Sequence, residues 1–283
     1  MISILHSIFL KDVVNTIEEK YKNQLKLTNE DIFTYSNIFN MPLYYKLATF
    51  KKNPDYNLYN KLQKNKQFET TYYCIEKILE NNYDPNLVLF LYSYISNIAL
   101  NNMIDSYIDN FLNQKKLTKK RKMNLRSKIA NILESDIYFS HYNEKIKNHK
   151  INHKEIKIDD LSIKLIDEIF IKFHYFSFGK DVFNISFNNF KKYQAKKNSW
   201  LKGIYKLSAK MKDIFTRSKK YSMYSIYHIY KKDKTDYLNI NNQSFANIYQ
   251  ETVKNTSYLI NLISEEIYYK KKNEKIIKNI LNK

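Results

Sequence analysis

The chain has 283 residues, 43% of them hydrophobic, enough to bury a substantial core as one large domain or two small ones. Its two glycines and three prolines argue against an all-β fold, whose tight turns draw on such residues, and two glycines cannot build a glycine-rich phosphate cradle. The single cysteine excludes a disulfide framework, while a net charge of +20 raises the question of polyanionic partners.

Leu, Ile and Lys recur at three- and four-residue steps along most of the chain, which predicts an all-α protein. Residues 2–23 form an amphipathic opening helix. Thr28 followed by Asp31 predicts a capping box for a short helix reaching about residue 38. Another short helix is expected over 41–51, a turn at Asn53-Pro54, and a helix over 68–81. Asp84 and Pro85 read as N-cap and first residue of a central helix running to about residue 112. Thr118 opens the next helix, to about residue 133, and the polar stretch 141–159 is the best candidate for an exposed linker. Helices over 160–178, 186–216, 220–231 and from Ser244 to about residue 281 complete a single all-α domain over 1–283.

Cys74, between Tyr73 and Ile75, is expected to be a small buried hydrophobe with no neighbouring base to activate it. The apolar start MISILHSIFL lacks a basic region before it and a small-residue cleavage site after it, and the apolar run over 86–100 is too short to span a bilayer. A cytoplasmic, soluble protein is the expectation. No Gly-x-Ser-x-Gly elbow is present, and Asp159-Asp160 ahead of an apolar run reads as a helix cap, not a pair of catalytic acids.

The segment LYSYISNIALNNMIDSYI (91–108) carries the most information. Ser93, Asn97, Asn101 and Asp105 recur every four residues, a polar stripe on an otherwise apolar helix. A buried polar group costs a few kcal/mol unless paired, so the stripe must meet other polar groups, water or a metal. Most buried polar groups are simply hydrogen-bonded within the fold.

This segment resembles the ligand helix of the bacterial zinc-dependent phospholipase C family, Gly-Phe-x-x-His-Tyr-x-x-Asp-x-x-x-His-Pro-Tyr. Ser93 falls on the Gly, Asn97 on the first His, Asn101 on the Asp, Asp105 on the second His and Tyr107 on the Tyr. The opening ILHSIFLKDVV resembles the family's Thr-His-x-x-Phe-Gly-x-x-Val and puts His6 on a ligand position. EDIFTYSNIF resembles Gly-Pro-Asp-Ile-Phe-x-Tyr and puts Asp31 on a bridging carboxylate, while TDYLNINNQSFANIYQETV resembles elements of the family's last third. The family's His-x-x-x-Glu pair falls near Lys122 and Arg126, and Gln63 stands where a further His is expected.

The resemblance implies a phospholipase C-like helical bundle, but most of its zinc ligands are replaced. A zinc hydrolase needs several imidazoles and carboxylates converging on each ion. Of the six histidines only His6 lies on a family position; His149 and His153 sit in a lysine-rich polar stretch, and His174 and His228 beside aromatics. The implied protein is a pseudoenzyme: no cofactor is expected, and it binds a lipid headgroup, phosphate compound or protein through the former metal pocket. The alternative is an active phosphodiesterase with a reduced zinc site of His6, Asp31 and Asp105. In that alignment Asn97, Asn101, Lys122 and Arg126 are former ligand positions.

A third reading, a basic helical nucleic-acid binder, rests on the lysine clusters at 115–122, 191–197, 217–220, 230–234 and 269–275 and their interleaved tyrosines. Lys, Asn, Ile, Tyr and Phe all have AT-rich codons, so a biased genome would spread lysine over every solvated helix face. The clusters are scattered, as that bias would leave them. Weak attraction to anionic lipid is the better expectation.

Overall fold

The computed structural model describes residues 3–25, 27–39, 66–114, 118–144, 156–174, 185–192, 195, 239–240 and 243–281. Of these, 85% are helical, and the protein is all-α as its periodicity predicts. The helices expected over 41–51 and 220–231, most of the one over 186–216, and Gln63, His149, His153 and His228 lie outside the described residues.

The opening helix divides in two, α1 (Ser3–Thr16) and α2 (Glu19–Lys22). Near the break the Thr16 hydroxyl donates to the Asp12 carbonyl at 2.7 Å, a local bond that competes with the helical ladder. The freed Glu18 N–H is taken by Asn261 of a distant helix at 3.1 Å. α3 (Asn29–Asn37) starts on the expected capping box: the Thr28 hydroxyl accepts from the Asp31 N–H, and the Asp31 carboxylate accepts from the Thr28 N–H. α4 (Gln67–Glu80) is followed by Asn82 and Tyr83 with positive φ, the left-handed turn that lets Asp84 cap α5 (Pro85–Asn113).

α5 is the axis of the molecule. Nearly every side of it is apolar, and α1, α3, α4, α6 (Lys119–Tyr142), α7 (Asp160–His174) and α8 (Phe245–Tyr269) all pack on it. It is long and apolar enough to cross a membrane, yet 83% of its most apolar stretch is buried inside the protein, as a core helix's is. Each Leu, Ile or Phe so buried contributes about 1.5–3 kcal/mol. The buried side chains form one continuous cluster from α1 through α9 (Glu274–Leu281).

Two further boundaries differ from the sequence reading. α6 runs nine residues past the predicted end at 133, because Ile137 and Tyr138 are buried and Glu134, which looks like a surface acid in sequence, is buried too. The first residues of the expected linker 141–159 therefore complete α6, and Asp159 caps α7, accepting from the Ser162 N–H at 2.8 Å. The C-terminal helix breaks at Lys270, which takes a left-handed conformation after Tyr269, and the side-chain amide of Asn273 folds back onto the Leu262 carbonyl at 3.0 Å. Before α8, residues Asn239–Ile240 pair antiparallel with Gln243–Ser244, and Ser244 caps α8 as expected.

Candidate functional site

An α-helix turns about 100° per residue, so a stripe with a four-residue step rotates by about 40° at each step and about 120° from Ser93 to Asp105. The stripe consequently spirals from the core to the surface. Ser93 and Asn97 are buried, Asn101 is half-buried and Asp105 is 56% exposed. Four residues that look aligned in sequence therefore occupy two environments.

The buried half ends at α3. A helix leaves its last four carbonyls without helical partners, and here that end is inside the protein. The Ser93 hydroxyl donates to the Tyr35 carbonyl, and the Asn97 amide donates to the Ser36 carbonyl at 2.8 Å. Asn101 in turn donates to the Asn97 side-chain oxygen at 3.5 Å. Around them, Ser7 and Ser36 share a hydroxyl hydrogen bond of 2.8 Å that joins α1 to α3. The Asn37 amide closes onto the Phe33 carbonyl at 2.8 Å. The buried half of the stripe thus caps the C-terminal end of α3.

The exposed half is an ion-pair cluster. The Arg126 guanidinium forks between Asp105 and Asp109, one turn apart on α5. Burial opposes the arginine's charge, but Asp105 and then Asp109 outweigh it and hold the guanidinium firmly protonated. The contact between Arg126 and Asp105 lies on a wet surface, not in an apolar pocket. Lys122 points elsewhere, donating to Asn113 at 3.3 Å.

Asp31 and His6, which the resemblance sets on ligand positions, lie apart from Asp105 as well. Asp31 is occupied by the capping box at the start of α3, where it also accepts from the Thr28 hydroxyl at 2.8 Å. His6 is buried in α1. Just before His6 on α1, the backbone N–H groups of Ile4 and Leu5 donate to the buried Glu134 carboxylate at 3.2 and 3.3 Å. It caps the N-terminus of α1, where the helix dipole favours a negative charge. Among the described residues no three His, Cys, Asp or Glu side chains form a metal-binding group. Cys74 is fully buried, and burial pushes its thiol up, which keeps it protonated.

A second titratable cluster was missed in the sequence. His141 Nε2 lies 2.8 Å from Asp12 Oδ2, and His141 Nδ1 lies 2.9 Å from the Ile137 carbonyl. Both partners are acceptors, so the arrangement suits an imidazolium that donates from both ring nitrogens. Asp12 raises the His141 pKa, burial partly opposes it, and the Ile137 carbonyl adds to the rise. The buried Tyr249 hydroxyl donates to the same Asp12 oxygen at 2.7 Å, and burial, then Asp12, keep that phenol protonated. The cluster ties α1, α6 and α8 together. Its members are 129 and 237 residues apart in sequence, so no local pattern reveals it.

A third polar centre surrounds Tyr35, whose hydroxyl donates to Asp159, the carboxylate that caps α7. Asp159 is a cap, as its position ahead of an apolar run implies. Compared with models of known protein families, with curated proteins and with solved structures, the chain matches none.

Proposed function

We propose that this chain is a non-catalytic helical protein on a degenerate zinc-dependent phospholipase C-like scaffold, and that it binds a phosphate-bearing ligand. The observation that carries this reading is the Asn97 amide bonded to the Ser36 carbonyl. A residue standing at a ligand position of the family is spent on capping α3, and its donor faces protein backbone. Asparagine is moreover a poor replacement for histidine at zinc. Arg126 brings a positive charge to a position where the family has a carboxylate ligand, which repels a cation.

The alternative reading, a reduced zinc site of His6, Asp31 and Asp105, needs three residues to converge that hold different places. His6 is in the core, Asp31 is in a capping box and Asp105 is in a surface ion pair. With a net charge of +20, a phosphate-bearing partner has the right sign, whether lipid headgroup or free phosphate compound. The test is turnover of a phosphatidylcholine analogue by the purified full chain, with and without added zinc. No hydrolysis above background is expected in either condition. Zinc-dependent hydrolysis at an enzymic rate would overturn the non-catalytic reading.

A further inference from the structure

The segment from the end of α8 through α9 combines two features that a solvated helix face does not need together. Residues 269–281 hold five lysines, Lys270, Lys271, Lys272, Lys275 and Lys278, and one carboxylate, Glu274, and of these lysines Lys271 pairs with Glu265 at 2.8 Å. Amid them three large apolar side chains face water: Tyr269 is 57% exposed, Ile276 45% and Ile280 36%.

α9 is held by its other side. Ile277 is fully buried, the helix packs on α4 and α8, and the Lys278 ammonium lies 5.3 Å from the Phe68 ring centre. Ile276 and Ile280 are one turn apart, so they share the outward side of a helix whose inward side is already satisfied. A codon bias toward lysine and isoleucine accounts for their abundance. It does not account for leaving an isoleucine pair outside a helix that has already buried Ile277.

The end of α8 joins a row of stacked tyrosines. Tyr21, Tyr268 and Tyr83 stack with ring centres 6.0 and 5.8 Å apart, and Tyr83 is exposed. The Lys20 ammonium lies 4.7 Å from the Tyr21 ring centre and 5.4 Å from that of Tyr269. Exposed tyrosine, lysine and aliphatic side chains on one short stretch are the side-chain types that a peripheral membrane contact uses.

We propose that α9 and the end of α8 form a docking surface for an anionic bilayer, with Ile276 and Ile280 entering the headgroup–acyl boundary and the surrounding lysines contacting lipid phosphates. Charge complementarity selects the occupant. A second copy of this chain would bring five more lysines against these five. A nucleic acid would pair with the lysines and stack on tyrosine, but it has nothing aliphatic to cover Ile276 and Ile280. The proposal shares with the functional reading above only its phosphate-bearing ligand, and it stands whether or not the chain binds zinc.

The test is co-sedimentation of the full chain with vesicles of phosphatidylcholine alone and of phosphatidylcholine with about one-third phosphatidylglycerol, at physiological salt. Binding is expected only to the second. The double variant Ile276→Ser/Ile280→Ser and the charge variant Lys270→Gln/Lys272→Gln/Lys275→Gln should each weaken it at least tenfold. Lys157→Gln/Lys164→Gln/Lys254→Gln, which removes three exposed lysines elsewhere, should leave it within about twofold. Far-ultraviolet circular dichroism verifies that each variant keeps its helices, since none of the substituted side chains is buried. Equal binding by the isoleucine variant and the native chain would overturn the proposal. So would tighter binding of a single-stranded oligonucleotide than of the anionic vesicles. Self-association that the isoleucine variant abolishes, with vesicle binding unchanged, would assign the face to a dimer instead. Failure of vesicle binding leaves the zinc and turnover results untouched, so the two readings fail separately.

Discussion

Replacing Asn97 by Ala tests the capping role of the polar stripe directly. Asn97 is 3% exposed, and its amide is the partner of the Ser36 carbonyl among the described residues. Truncation leaves a buried carbonyl without that donor, a cost of about 1–3 kcal/mol, and the lost side-chain volume raises the total to roughly 2–4 kcal/mol. Arg126→Ala provides the contrast. The Arg126 side chain is 35% exposed and its partner Asp105 56%, so water screens the pair and its loss costs no more than about 1 kcal/mol. If the pair were sealed in an apolar pocket, the order would reverse, because an abandoned buried carboxylate is the more expensive defect. Urea unfolding followed by circular dichroism measures both, provided the slope with denaturant is the same in each variant. A loss below about 0.5 kcal/mol for Asn97→Ala, with a larger loss for Arg126→Ala, would refute the account of the stripe.

Glu134→Ala should cost about 2–4 kcal/mol in the same assay because two N–H groups at the start of α1 lose their acceptor, and Glu134→Gln, which keeps an oxygen there, should cost less. The His141 contact should make stability fall with pH. Its folded pKa is raised, so the native chain binds more protons than the unfolded one above about pH 6.5, the ordinary histidine value. The stability difference between the native chain and His141→Gln, on the order of 1 kcal/mol, should be full below that pH and shrink as pH rises through the folded pKa. A difference that grows with pH would contradict the imidazolium assignment. Ser264→Ala should destabilise more than Tyr92→Phe, because the first strands a phenol that is buried beside α8 while the second removes it; the bond between them is 2.6 Å.

Much of the architecture was legible because it rests on local signals. Thr28 with Asp31, Asp84 with Pro85 and Ser244 are short-range caps, and each starts a helix where the sequence places it. The break at Ile17–Glu18 and the extension of α6 to Tyr142 were not legible. One is fixed by Asn261 and the other by the burial of Glu134 against α1, partners more than a hundred residues away. The stripe itself shows both sides of the matter. Its periodicity correctly announced buried polar groups that need partners. A four-residue period nevertheless suggested one common face, whereas the helical rotation delivers Ser93 and Asn97 to α3 and Asp105 to the surface. The family resemblance likewise reads positions and not contacts, and it cannot tell a metal ligand from a cap.

Elemental analysis of zinc in protein purified without chelator and dialysed tests the central claim most directly. If the residues that the resemblance reads as ligands serve as caps and ion pairs, the chain carries well under one zinc ion per molecule. One or more zinc ions per chain, surviving dialysis and lost on substitution of His6 or Asp105, would contradict the account and favour the reduced zinc site.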